Sequence, residues 1–345
     1  MRNLSINAHF RNVAAKHRPR FHFDGASPAQ WQNWHDELLP LVRQSLGKMP
    51  ARVPLNPELI VEWRADGLIK QKLIFDVEEG LSATAYVFRP ENAKGPLPAI
   101  LACHGHGPYG KDAVMGVNVD AGRAADIAAH NYDYGLHMAK AGFAVIAIDW
   151  RGFGERDDRR GPHHNDIFGG QDICNVHFIR AAILGQTVLG LNVHDAQCAL
   201  DYLCQQEFVD PARIGVMGLS FGGTMTVWTS LADDRIKAAD VICYSDRFEE
   251  FGMADANFCG SQITPGIYDL CDVAELQGLI APRPLLVEIG IHDDCFRVAS
   301  ATACFKQVEK IYSAAGVRER LALDLDPRQH GWCGHKSVEF FRTNL

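Results

Sequence analysis

Apolar residues change their spacing along this chain. Near the start, Trp31, Trp34, Leu38, Leu39 and Val42 recur at helical intervals behind Ser27-Pro28-Ala29-Gln30. Ser27 fits an N-cap, Pro28 the first helical position and Gln30 the closing member of a capping box, with Gly47 as the stop. Pro40 is expected to kink this helix. From Leu68 the spacing becomes that of strands. Leu68 to Phe75 and Leu81 to Phe88, separated by Glu79-Gly80, read as an antiparallel hairpin. Strand-like apolar runs follow at Ala99 to Cys103, Ala144 to Asp149, Ile214 to Gly218, Ala239 to Tyr244, Leu285 to Gly290 and Leu321 to Leu325. Helical patterns separate them near Tyr134 to Ala141, Val188 to Gln206, Gly222 to Leu231, Ala299 to Ala314 and His335 to Thr343.

Strands buried on both faces and alternating with helices predict an α/β chain built on a mostly parallel, doubly wound sheet. The opening hairpin makes that sheet mixed. Residues 1–66 are expected to form an N-terminal helical extension, a cap or a brace, and residues 67–345 the main domain. Two stretches resist the alternation, Arg151 to Gln186 and Ser245 to Ala281. Loops of that length in a compact domain usually carry function.

Composition narrows the function classes. The 345 residues are 47% hydrophobic and 22% charged, as in soluble globular chains. Lys and Arg total 34 against 42 Asp and Glu, a net charge of −8, which disfavours nucleic acid and anionic membranes as partners. The longest apolar run, Ala141 to Ile148, is far short of the ~20 residues of a spanning helix. The N-terminus carries no secretory pattern, and the ten cysteines are scattered with no C-x-x-C, so a cytoplasmic chain with reduced thiols is expected. Nothing here decides for or against a homo-oligomer.

The strongest chemical signal is Gly218-x-Ser220-x-Gly222, between a buried strand and a small-residue helix. Such a strand-turn-helix lifts a serine hydroxyl above the sheet edge, and its tight turn leaves no room for neighbouring side chains. A serine needs a general base, and that base an orienting acid. Asp293 follows the strand ending at Gly290, with Asp294 as its rival. His330 follows the strand ending at Leu325 and is preferred to His335, which is expected to begin the last helix. Strand Ala99 to Cys103 runs into His104-Gly105-His106-Gly107, whose His106 N–H could pair with the Phe221 N–H as an oxyanion hole. Each such donor contributes about 3 kcal/mol to transition-state binding. His104, His106 and Asp112 were weighed as a metal set, but the serine turn would then be unexplained, and no metal or other cofactor is expected.

Other residues carry weaker signals. Asp149 and Arg151 are expected to lock their loop, Glu155 to Arg160 to be a solvated surface, and His163 and His164 to wall a pocket or face water. The aromatics from Tyr244 to Phe258, with Trp228, fit a core or an acyl pocket.

Four segments together resemble the α/β-hydrolase superfamily, and within it the acetyl-xylan-esterase-like and dienelactone-hydrolase-related branch. They are His104-Gly-His-Gly-x-x-Gly-Lys-Asp112, Asp149-Trp-Arg-Gly-Phe-Gly-Glu-Arg156, Gly218-Leu-Ser-Phe-Gly-Gly223, and Ala281-Pro-Arg-Pro-Leu-Leu286 leading to Asp293. The resemblance implies an eight-stranded sheet and a Ser220, Asp293 and His330 triad acting on small-molecule esters. It also implies an alternative, carbon–carbon bond hydrolysis on the same triad; a rival reading from another class is a non-catalytic binding protein on the same fold.

Overall fold

The computed structural model describes residues 2–159 and 172–345. Its nine strands are β1 (Glu58–Ala65), β2 (Leu68–Glu78), β3 (Leu81–Pro90), β4 (Leu97–Cys103), β5 (Ala144–Ile148), β6 (Val209–Leu219), β7 (Ile236–Ile242), β8 (Leu285–Gly290) and β9 (Leu321–Asp326). The first helices are α1 (Ile6–Ala14), α2 (Pro28–Ser45), α3 (Lys111–Val114), α4 (Ala121–His130), α5 (Tyr134–Lys140) and α6 (Ile173–Ile183). The later ones are α7 (Val188–Cys204), α8 (Phe221–Ala232), α9 (Ile267–Leu270), α10 (Val273–Gly278), α11 (Val298–Ala314) and α12 (Ser337–Asn344).

The strands form one sheet in the order β1-β2-β3-β5-β4-β6-β7-β8-β9. Pairings are antiparallel from β1 through β3 to β5, and parallel from β5 to β9. The expected eight strands are therefore corrected to nine. The extra strand, β1, is an edge strand in which Leu59, Ile60 and Val61 are all exposed. A strand with neither face buried carries no apolar alternation, so its sequence pattern was silent.

Alternation inside the sheet divides the core into two layers. Ala99, Leu101 and Cys103 of β4 point into one, with Val193, Met225 and Ile311 of α7, α8 and α11. Ile100 and Ala102 point into the other, with Met138 of α5 and Phe341 of α12. Helices thus cover both faces of the central strands, as both-sided burial requires.

The Ser27 hydroxyl caps α2 by accepting the Gln30 N–H, and the helix continues through Pro40. α2 lies along the helical layer. The Arg43 guanidinium donates to the Leu231 carbonyl at 2.6 Å and pairs with Asp234 at 2.7 Å. The segment before α2 is held from the far end of the chain, with Phe23 N–H donating to the Glu275 carboxylate at 3.2 Å.

The Asp149 loop is locked by buried charge. Asp149 is fully buried at the end of β5 and accepts from the Lys111 N–H at 2.9 Å and its ammonium at 2.6 Å. The Lys111 ammonium, also fully buried, reaches Glu155 at 2.5 Å. Burial alone would lower the Lys111 pKa, but Asp149 and Glu155 outweigh it and hold the ammonium charged. Arg151 bridges Glu78 and the buried Asp195, each at 2.6 Å, and Arg156 joins Asp195 at 2.7 Å. The solvated surface expected over Glu155 to Arg160 is corrected at Arg156, which turns in to Asp195, and at Asp157, which is buried and pairs with Arg159 at 2.8 Å, whereas Glu155 stays exposed while reaching Lys111, and Arg160 lies outside the described residues. His163 and His164 lie outside the described residues.

Removing one member of a buried charge set leaves the others uncompensated, at a cost of about 3–5 kcal/mol. Lys111→Met is expected to lose stability on that scale in urea denaturation, whereas a loss within experimental error would show that Asp149 needs no cation.

Candidate functional site

Ser220 sits between β6 and α8 with φ 62° and ψ −118°, backbone values a non-glycine residue rarely adopts. Two close approaches hold it there. A Cβ on Gly218 would stand 2.5 Å from the Gly222 carbonyl oxygen and 2.6 Å from that of Cys103. A Cβ on Gly222 would collide with the same Cys103 oxygen. The Ser220 N–H donates to the Ile242 carbonyl at 2.9 Å, tying the turn to β7. Phe221, buried, begins α8, so its N–H belongs to a helix start where no carbonyl precedes it in register.

The two loops after β8 and β9 are tied together. Ile291 N–H donates to the Asp326 carbonyl at 2.7 Å, and His292 N–H to the Arg328 carbonyl at 3.0 Å. The loops bring His330 Nδ1 within 2.8 Å of Asp293 Oδ2. Asp293 Oδ1 accepts from the Cys295 and Phe296 N–H groups at 2.8 and 3.0 Å. Burial pushes the Asp293 carboxyl up, yet His330 and these two amides more than compensate and hold it below the usual carboxylate range. Trp332 N–H donates to the His130 carbonyl at 2.9 Å, and Asn131 to the Trp332 carbonyl at 3.0 Å, which pins the His330 loop to the end of α4.

Between the two acids, the structure pairs Asp293 with His330 and leaves Asp294 exposed on the cleft wall. His335 is committed elsewhere, to Asp324 at 3.2 Å and Asp326 at 3.0 Å. His104 is fully buried. It accepts the Trp150 N–H on Nε2 at 3.0 Å and donates from Nδ1 to the Gly105 carbonyl at 2.7 Å. Burial drives its pKa down to about 4, so it stays neutral. Asp112 is paired with Arg123 at 3.0 Å. His104 and Asp112 are thus committed to structural partners, while His106 faces the cleft.

Ser220, His106 and His330 line one cleft of about 480 Å³, with Tyr132, Phe251 and Phe296. The Phe296 ring stacks on His330, with centroids 5.7 Å apart, and on Phe251 at 4.2 Å. Phe251 thus reaches the site from the long Ser245 to Ala281 stretch, while Tyr244 and Trp228 are buried in the core. A larger cavity of about 610 Å³ lies under α6. Ser220, Asp293 and His330 are absent from its lining, and its charges at Arg151 and Glu155 are bound in the loop lock. Ser220 and His330 line the smaller cleft alone of these two.

Sequence reasoning missed several lining residues. Asp126 and His130 of α4 face the cleft and pair at 3.3 Å, which raises the His130 pKa chiefly through the Asp126 hydrogen bond. Gln262 is buried, with its Oε1 unpaired among the described residues. α4 buries no residue, so its spacing carries no apolar signal, and Gln262 lies in a loop. Two cysteines were also missed. The His106 Nε2 lies 3.0 Å from Cys259 Sγ, and Cys174 joins them. A hydrogen bond with Cys259 draws the Cys174 thiol down, and the same bond pushes Cys259 up.

A model of the Abhydrolase family matches residues 1–311. YtaP of Bacillus subtilis (strain 168) is 30% identical over 281 residues, covering 79% of this chain and 86% of that protein. Among solved structures, a glucuronoyl esterase from Solibacter usitatus superposes with a TM-score of 0.69 at 15% identity, covering 92% of this chain and 94% of the other. An acetyl xylan esterase from Paenibacillus sp. R4 superposes with a TM-score of 0.60 at 17% identity, covering 97% and 99%. These superpositions show the α/β-hydrolase fold.

A carboxyl held below its unfolded value, near ~3.9, stabilises the fold at neutral pH. That contribution is lost as pH falls through the folded value. Between neutrality and about pH 3, Asp293→Asn is expected to lose less Tm than the native chain. An equal loss would show that the Asp293–His330 pair does not stabilise the fold.

Proposed function

The chain belongs to the Abhydrolase family, and from that premise we propose that it is a serine hydrolase cleaving carboxylic esters of small molecules. The observation that carries this reading is the cleft shared by Ser220, on its strained turn, and His330, paired with Asp293 at 2.8 Å. In the proposed reaction His330 Nε2 takes the Ser220 hydroxyl proton as Oγ attacks the ester carbonyl. Asp293 keeps the other ring nitrogen protonated and stabilises the imidazolium. The N–H groups of His106 and Phe221 receive the developing oxyanion. His330 then protonates the leaving alcohol. Water, deprotonated by the same imidazole, releases the acid from Ser220.

Two features support a short acyl group and a polar remainder. The stacked Phe251 and Phe296 rings form an apolar wall beside His330. Asp126, His130 and Gln262 offer hydrogen-bonding groups elsewhere in the cleft. An ester of a hydroxylated compound, such as an acetylated sugar, fits that division. Carbon–carbon cleavage on the same residues is less well supported, since the cleft lining draws nothing from residues 2–66. That segment serves better as a brace, through α2 and its contacts to α8.

Chromogenic esters from acetate to octanoate, tested with the native chain and Ser220→Ala, check the proposal. Acetate is expected to be the best substrate, and Ser220→Ala to lower kcat at least ~10³-fold. Equal turnover by the two proteins would remove Ser220 from the reaction.

A further inference from the structure

A second constellation lies beside the cleft, and the proposed ester chemistry uses none of its side chains. His106, Cys174 and Cys259 come from the loop after β4, from α6, and from the loop after the Phe248–Ala254 turn. One ligand atom from each lies within 4.8 Å of the others, with His106 Nε2 and Cys259 Sγ 3.0 Å apart. From these distances we propose that His106, Cys174 and Cys259 bind one Zn²⁺ ion in the cleft wall.

The donor chemistry selects the metal. Two thiolates and an imidazole are soft to borderline ligands that favour Zn²⁺ and discriminate against Mg²⁺ and Ca²⁺, which take oxygen. In a tetrahedral zinc site, bonds of ~2.0 Å to nitrogen and ~2.3 Å to sulfur set ligand atoms about 3.5–3.8 Å apart; the three side chains lie within 4.8 Å of one another, and the His106–Cys259 pair, at 3.0 Å, would open on binding. Three protein donors leave one of the four positions to water or another small donor. The thiols bind as thiolates, and their protons pass to solvent.

The surroundings hold the two cysteines in place. Asn175, next to Cys174, accepts the Gly260 N–H at 3.0 Å, and Gly260 is next to Cys259. A Cβ on Gly260 would collide with Phe178, so only glycine lets the Cys259 loop lie this close to α6. The His106 ring is set by Phe221 and Phe153, with centroids 4.9 and 5.5 Å away. Cys174 is buried and Cys259 half-buried, whereas His106 opens onto the cleft and offers an entry path. His106 was legible as a possible ligand, but its partners lie 68 and a further 85 positions away and match no spaced motif.

The inference stands apart from the esterase reading, since it involves neither Ser220 nor His330 and its test reads no turnover. The full chain, reduced with a phosphine and freed of metal, is titrated with Co²⁺ without oxygen. One equivalent is expected to give a thiolate-to-cobalt charge-transfer band and the intense visible absorption of a tetrahedral ion. Zn²⁺ should bleach both and Mg²⁺ neither. Cys174→Ser and Cys259→Ser are each expected to lose the charge-transfer intensity and to bind Zn²⁺ at least ~100-fold more weakly in competition with a chromophoric chelator. The native titration decides the matter even if a variant fails to fold. No charge-transfer band with the native chain, or an undiminished one in both folded variants, would overturn the proposal. So would a Cys174–Cys259 disulfide forming on mild oxidation in a chain that takes up no ion when reduced.

Discussion

The turn at Ser220 has no free volume on either side. Gly218 and Gly222 both abut the Cys103 carbonyl, so β4 and the β6–α8 turn must touch through bare backbone. That contact forces Ser220 to φ 62°, a cost of about 1–3 kcal/mol that the surrounding sheet over-determines. It has two consequences. The serine side chain is lifted out of the sheet, and the loop leaving β4, with His106, is brought alongside it. The Tyr134 hydroxyl donates to that same Cys103 carbonyl, and the Tyr132 hydroxyl accepts the Gly105 N–H at 2.7 Å. Two tyrosines flanking the start of α5 therefore hold the β4 loop against the turn.

Buried charge completes the frame. Asp149 and Asp195, both fully buried, draw Lys111, Arg151 and Arg156 inward and with them the loop after β5. Such pairs seldom add much net stability over apolar packing, but they fix one arrangement, because any shift strands a charge in a dry interior. On the opposite flank, Glu288 accepts the Cys333 N–H at 2.8 Å and the Ser337 hydroxyl at 2.6 Å, anchoring the chain that carries His330. The site is thus assembled from strand ends whose loops are each tied down independently.

Much of this was legible in the sequence. β4, β5, β7, β8 and residues 214–219 of β6 are largely buried on both faces and read as apolar runs, and the serine turn announced itself because its glycines have a steric cause. Asp293 was separable from Asp294 only weakly by its distance from Gly290, and the structure distinguishes them through the His330 bond. What stayed hidden shares one physical origin. β1 buries neither face, α4 has no buried residue, and the Cys174 and Cys259 thiols meet only through the folding of two long loops. Periodicity records burial within an element, and it is silent about exposed elements and about encounters between distant loops. Arg156 follows the same rule. A run of charges reads as solvated, but Asp195, from the distant helix α7, sits buried against it.

The central claim is that the strained turn makes Ser220 a nucleophile served by His330. Intact-protein mass spectrometry after exposure to a fluorophosphonate, followed by peptide mapping, tests it most directly. The account predicts a single adduct on Ser220, formed rapidly by the native chain and slowed at least ~10³-fold in His330→Ala. An unlabelled native chain, or an adduct on Ser220 that forms equally fast without His330, would contradict it.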